Sequence, residues 1–249
     1  MGSQYDLPEN GRIRVLSASG RVTVIAEERS DVDVEPANRA VELKESGRHR
    51  HRHRHGHGIL DHFRKGSQAS ESDDAPPERR PVLEIKSKSG SIEVRCPLGT
   101  DVSVGAMSGS VKLIGTLRSL KISTVSGNID IDTATGNVDA RSVSGSITVK
   151  SCGGRCDVSS KSGRVRIDHV EGSAHASTIS GGVEIGTAGR DEVELKMVSG
   201  GAKVTVFGEK QPRVRFSSLS GKMRCECTQG SDFDLKVKSI SGSLEVTGR

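Results

Sequence analysis

The 249-residue chain is predicted to be all-β: a parallel β-solenoid (β-helix) of about eight or nine coils with an 18–21-residue repeat, plus one long disordered loop. Three observations predict this. A Ser-Gly dipeptide recurs from Ser89-Gly90 to Ser241-Gly242 at steps of 18 to 21 residues. Between these dipeptides, apolar residues alternate with polar ones at the period of a half-buried strand. Aromatic side chains are nearly absent, with four Phe, one Tyr and no Trp, as a narrow coil filled by Val, Ile, Leu and Ala requires.

The elements follow in chain order. Residues 1–11 are an N-terminal tail, and 12–249 form a single β-solenoid domain interrupted by a His/Arg-rich disordered insertion at 46–81. Ser19-Gly20 opens a first coil with Val22 and Val24, followed by Val32 and Val34, then Val41 and Leu43. The pattern breaks over the insertion, whose His, Arg, Gly, Ser, Asp and Pro content cannot build a core. It resumes with Leu83 and Ile85. With the glycine as position 1, positions 3 and 5 are apolar: Val111 and Leu113, Ile129 and Ile131, Ile147 and Val149, Val165 and Ile167, Val183 and Ile185. Positions 12 and 14 repeat this at Leu120 and Ile122, Val138 and Ala140, Cys156 and Val158, Ala174 and Ala176, Val193 and Leu195. A third short segment near position 17 is expected to point Val125, Val143, Ile179, Val198, Leu219 and Ile240 inward.

Glycine at position 1 supplies a positive φ that other residues resist. A second turn is placed near position 10, at Gly136, Gly154, Gly172 and Gly230. The Ser column beside the first turn is structural, through local or inter-coil hydrogen bonds. Coils displaced by about 4.8 Å would make a rod roughly 40 Å long. No window carries a helical apolar stripe.

The net charge of +5 is local. Arg48, Arg50, Arg52, Arg54, Arg64 and Lys65 against Asp61 supply all of it, so the basic balance describes one segment and not the fold. The opening MGSQYDLPEN has neither a basic nor an apolar signal region, which predicts a cytoplasmic protein. No stretch reaches the roughly 18 apolar residues of a membrane span. Five cysteines without framework spacing fit a reducing compartment.

Three groups of residues are candidate sites. The imidazoles of His49, His51, His53, His55, His57 and His62 can ligate a transition metal, although the interleaved arginines repel a cation. Arg48, Arg50, Arg52, Arg54, Arg64 and Lys65 can instead contact a polyanion, nucleic acid or anionic lipid, and the segment can equally be a solvated loop. Below about pH 6 the histidines add up to six charges to it. At position 13, Asp139, Asp157, His175 and Glu194 fall on successive rungs. Stacked carboxylates need a divalent ion or a bridge from Arg141, Arg155 or Lys196. The cysteines are core substitutions: Cys152 and Cys156 occupy apolar positions, and Cys225 and Cys227 alternate with Met223.

Few aromatic platforms and no Ser-His-Asp or Cys-His constellation argue against an enzyme, and no cofactor is expected. The Gly-x-x-Gly matches are turns between strands and open no helix, so nucleotide binding is unsupported. The remaining readings are a non-enzymatic interaction scaffold and a structural protein that self-assembles end to end through open coil edges.

The run Val94-Arg95-Cys96-Pro97-Leu98-Gly99-Thr100-Asp101-Val102-Ser103-Val104, followed by SGSVKL, VSGNIDI, VSGSITV, KSGRVRI and ISGGVEI, resembles the bacterial "putative adhesin" family of toastrack-type β-solenoids. The resemblance covers about Arg12 to Val246. It implies a bacterial, non-enzymatic solenoid with surface or envelope association, and it carries no catalytic residues over. The chain departs from many members in showing no membrane helix, zinc ribbon or signal segment.

Overall fold

In each strand every second side chain is removed from water. The computed structural model describes residues 3–7, 11–36, 40–44, 81–187, 191–207, 212–227 and 234–248. The N-terminal strands are β1 (Ser3–Asp6), β2 (Arg12–Ser19), β3 (Val22–Glu27), β4 (Asp31–Glu35) and β5 (Ala40–Lys44). In β2, Ile13, Val15 and Ser17 are buried while Arg12, Arg14 and Ala18 face out. Period-2 alternation fixes which residues can enter the core.

After residue 81 come β6 (Val82–Ser87), β7 (Ile92–Pro97), β8 (Asp101–Ser108), β9 (Val111–Leu117), β10 (Leu120–Ser126) and β11 (Ile129–Ala134). Then follow β12 (Val138–Ser144), β13 (Ile147–Cys152), β14 (Cys156–Ser162) and β15 (Val165–Val170). The last four strands, β16 (Ala174–Thr187), β17 (Glu192–Val206), β18 (Arg213–Cys227) and β19 (Asp234–Gly248), each run unbroken across the Ser-Gly corner. No helix occurs among the described residues.

The coils are flattened, with two sheet faces joined by two corners. One face runs β6, β2, β8, β10, β12, β14 and on into the first halves of β16 to β19. The other runs β7, β3, β9, β11, β13, β15 and on into their second halves. All of these pairings are parallel. Seven turns, from β10–β11 to β19, stack on the turn that precedes them in the chain, fewer than the eight or nine expected. The shortfall lies at the N-terminal end, where chain order and stacking order part. The turn β2–β3 is sandwiched between β6–β7 and β8–β9.

That end is also capped. β5 pairs antiparallel with β6, β4 with β7, and β1 with β4. Val32 and Val34, expected as coil strands, belong to this cap and are buried there. Lys44 pairs with Val82, so the strands on either side of the insertion are antiparallel neighbours, and residues 45–80 lie outside the described residues.

The coil core is the two predicted apolar pairs, with Ile129, Ile131, Val138 and Ala140 all at or below 2% exposure. The third predicted segment is corrected. Val125, Ile179, Val198, Leu219 and Ile240 are exposed, and Val143 is half-buried. Position 17 lies an odd number of residues from positions 12 and 14, so alternation turns it outward whatever its hydrophobicity. Position 16 goes in instead, as Thr124, Ser142, Ser160, Thr178, Met197 and Ser218. The hydroxyls of Ser142, Thr178 and Ser218 find no hydrogen-bond partner among the described residues.

The corner glycines show why the dipeptide recurs. Gly145 has φ +138°, and a Cβ there would run into the carbonyl oxygen of Gly127 on the rung beneath. At the second turn Gly136 sits against the Arg118 carbonyl, while Gly230 lies outside the described residues.

Two outcomes follow for stability. Gly145→Ala should cost about 2–4 kcal/mol through strain and backbone collision. Gly182→Ala should be neutral or stabilising by up to about 1 kcal/mol, because a Cβ there meets nothing nearer than 3.9 Å. Urea unfolding of the two variants measures this contrast. Replacing 46–80 with a two-residue Asn-Gly turn should leave the melting temperature within a few degrees of the parent, since β5 and β6 already meet at Lys44 and Val82. Loss of the cooperative transition would show that the segment carries core structure.

Candidate binding face

The position-13 residues stack as the repeat predicts. Asp139 pairs in register with Asp157, Asp157 with His175, and His175 with Glu194. Residues two apart on a strand share a face, so each carboxylate also has a neighbour at position 11 or 15. Arg141 Nε donates to Asp139 Oδ1 at 3.0 Å, and Arg155 Nε to Asp157 Oδ2 at 2.8 Å. His175 Nδ1 lies 3.1 Å from Glu194 Oε2, and Lys196 Nζ lies 2.9 Å from Glu194 Oε1. Asp139, Asp157 and Glu194 are therefore each paired with a cation two residues away on the same strand, and His175 links Glu194 to the neighbouring rung, which offsets the repulsion of stacked carboxylates. Among the described residues no group of three or more His, Cys, Asp and Glu side chains converges as metal ligands.

These residues line a shallow groove of about 490 Å³ along the face. It is continuous, through Asp139, Arg141, Arg155 and Asp157, with a hollow of about 770 Å³ that reaches Arg12, Asp101 and Arg118. Asp101 is buried and is gripped by a two-pronged guanidinium: Arg118 Nε to Oδ1 and Nη2 to Oδ2, both 2.8 Å. Arg12 Nε adds a contact at 3.7 Å. The sequence reading missed this pair. Arg118 lies 17 residues on, one short of the 18-residue register, so it reaches Asp101 diagonally from the next coil and column-by-column reading passes it over.

The electrostatics follow from these contacts. A hydrogen bond from Lys196, reinforced by His175, holds the Glu194 carboxyl below its ordinary value of 4.5 against the opposing effect of burial. On the other face Lys150 does the same for Asp132. Burial pushes the Cys96 and Cys225 thiols up to about 11. Cys152 and Cys156 are buried as well, and Cys227 is half-buried, so the cysteines sit in or beside the core. The groove is lined by these charged side chains together with Ser159 and Ser177.

The histidines at 49, 51, 53, 55, 57 and 62, and the cations Arg48, Arg50, Arg52, Arg54, Arg64 and Lys65, lie outside the described residues. Among the described residues no helix is long and apolar enough to cross a membrane.

The winding and the laddered faces define the chain as a parallel β-solenoid protein. Among solved structures it is similar to a "putative adhesin" from Bacteroides fragilis NCTC 9343, with 15% identity, coverage of 100% of this chain and 96% of that one, and a TM-score of 0.42. No family model and no curated protein matches the chain.

Because the folded-state Glu194 carboxyl titrates low, its contribution is present above about pH 4.5 and fades as the pH falls below that value. Glu194→Gln should therefore lower stability at pH 7 by less than about 1 kcal/mol, given its partial exposure. The difference from the parent should be smaller at pH 3 than at pH 7. Chemical denaturation at the two pH values measures it, and an equal deficit at both would remove the ion-pair assignment.

Proposed function

We propose that the protein is a non-enzymatic interaction scaffold, adhesin-like and associated with the cell envelope. The observation that carries this reading is the repetitive face from Asp139 to Lys196. There acidic and basic side chains are paired on the rungs of Asp139, Asp157 and Glu194 and are held in one column by the register of the coils. Such a face suits recognition of an extended partner with its own polar repeat, and the partner's identity is left to its chemistry. The envelope placement is supported by the sequence resemblance set out above. The His/Arg segment adds a second contact, toward polyanions through its arginines or toward a metal through its histidines.

End-to-end self-assembly is the weaker alternative. A filament needs both ends of the stack open, and one end is closed by the antiparallel strands β1, β4 and β5 of four or five residues each. Short edge strands are a common device against edge-to-edge addition.

The test is localisation of the untagged protein by cell fractionation with protease added to intact cells. The expected result is envelope-fraction protein that protease reaches. Protein found only in the cytosol and protected from protease would remove the envelope role and leave an intracellular scaffold.

A further inference from the structure

Because position 17 faces outward, its side chains form a column on the surface of the coil. On the narrow edge beside the Ser-Gly corner, Met107, Val125, Ile179, Val198 and Leu219 stand one rung apart, apart from the interruptions at Val143 and Lys161. Each is 40–55% exposed, and Ile240 continues the row at 82%. The in-register pairing of Ser108, Ser126, Ser144, Ser162, Ser180, Ser199, Ser220 and Ser241 holds this row straight. Over eight rungs it extends for roughly 35 Å. Isolated apolar residues on a surface need no explanation, but six exposed ones aligned in a single column do.

The charge around the row has one sign. Column 15 on one flank carries Arg141, Lys196 and Lys238, and column 2 on the other carries Arg21, Arg164 and Lys222. Lys161 and Lys88 lie in the row itself. From column 15 through the corner to column 2, no Asp or Glu occurs on any rung from β6–β7 to β19, whereas carboxylates are frequent in columns 4 and 13 on the flat faces. Arg141 and Lys196 lean back to Asp139 and Glu194. Lys161, Arg164, Lys222 and Lys238 have no ion pair among the described residues.

We infer that this edge docks on an anionic lipid surface, with the apolar row entering the headgroup layer and the flanking cations meeting lipid phosphates. Apolar side chains combined with basic flanks are the composition of interfacial membrane-binding surfaces. A second copy of the chain is a poorer occupant, because ridge-to-ridge contact would bring cations against cations with no carboxylate to separate them. A soluble polyanion would use the cations and leave the apolar row wet. The row also projects from a corner and is not a groove, which suits a planar partner.

The test uses the full chain and sedimentation with vesicles of phosphatidylcholine alone or with 30% phosphatidylglycerol. Binding to the anionic vesicles should exceed binding to the neutral ones by tenfold or more. The triple variant Ile179→Ser, Leu219→Ser, Ile240→Ser keeps every charge, including those of the His/Arg segment, and alters only exposed side chains. It should melt within a few degrees of the parent and bind anionic vesicles at least tenfold more weakly. Lys161→Glu with Arg164→Glu should weaken binding similarly. Three results would each overturn the inference: no binding to anionic vesicles, triple-variant binding equal to the parent, or a parent that is dimeric in analytical sedimentation and becomes monomeric in the triple variant. The cellular location of the protein does not enter this measurement, so it stands or falls separately from the proposed envelope role.

Discussion

The close approach of corner glycines is the constraint on which the structure depends. From Gly109 through Gly200, each corner glycine places the space where a Cβ would sit against the carbonyl of the glycine one rung below. Their φ values between +126° and +146° are open to glycine and strained for other residues. A one-residue slip between coils would bring a side chain into that contact. The corner therefore fixes register, and register turns the sequence repeat into straight columns of like residues. Both the ion-paired face and the apolar edge follow from that columnar order.

What was legible in the sequence was what obeys the repeat. The two apolar pairs of each coil, the positive-φ turns and the stacking of Asp139, Asp157, His175 and Glu194 all followed from spacing alone. The parallel stacking of the coils was legible from the repeat, but the antiparallel cap and the stacking order at the N-terminal end were not, because period-2 alternation is the same in parallel and antiparallel strands. Val32 and Val34 look like coil residues and serve in the antiparallel cap. Likewise nothing local in β2 or β3 announces that this turn inserts between β6–β7 and β8–β9. The misplacement of Val125 and its column came from weighing hydrophobicity above alternation. Counting residues from Leu120 and Ile122 would have turned it outward.

The faces divide the chemistry by geometry. On the flat sheets, residues two apart lie side by side, so Arg141 meets Asp139 and Arg155 meets Asp157 within a strand. The same face accommodates Asp101, whose burial is balanced by the paired nitrogens of Arg118. Removing one member of such a buried pair costs more than the pair itself contributes. The narrow edge has no acidic column, and of its flanking cations Arg141 and Lys196 turn back to carboxylates on the flat face. Inside the corner, small hydroxyl residues fill position 16 where space is limited by the turning backbone, although Met197 shows that an apolar chain is also accepted.

The central claim, in-register stacking of successive coils, is tested most directly by a distance. Lys121 and Lys236 occupy one outward column, six rungs apart through Asp139, Asp157, His175, Glu194 and Arg215. Spin labels on cysteines at these two positions, in a chain with Cys227→Ser, should give a narrow distance distribution centred at roughly 29 Å, six strand spacings. A broad distribution, or a centre beyond about 40 Å, would contradict the stacked column and the columnar surfaces derived from it.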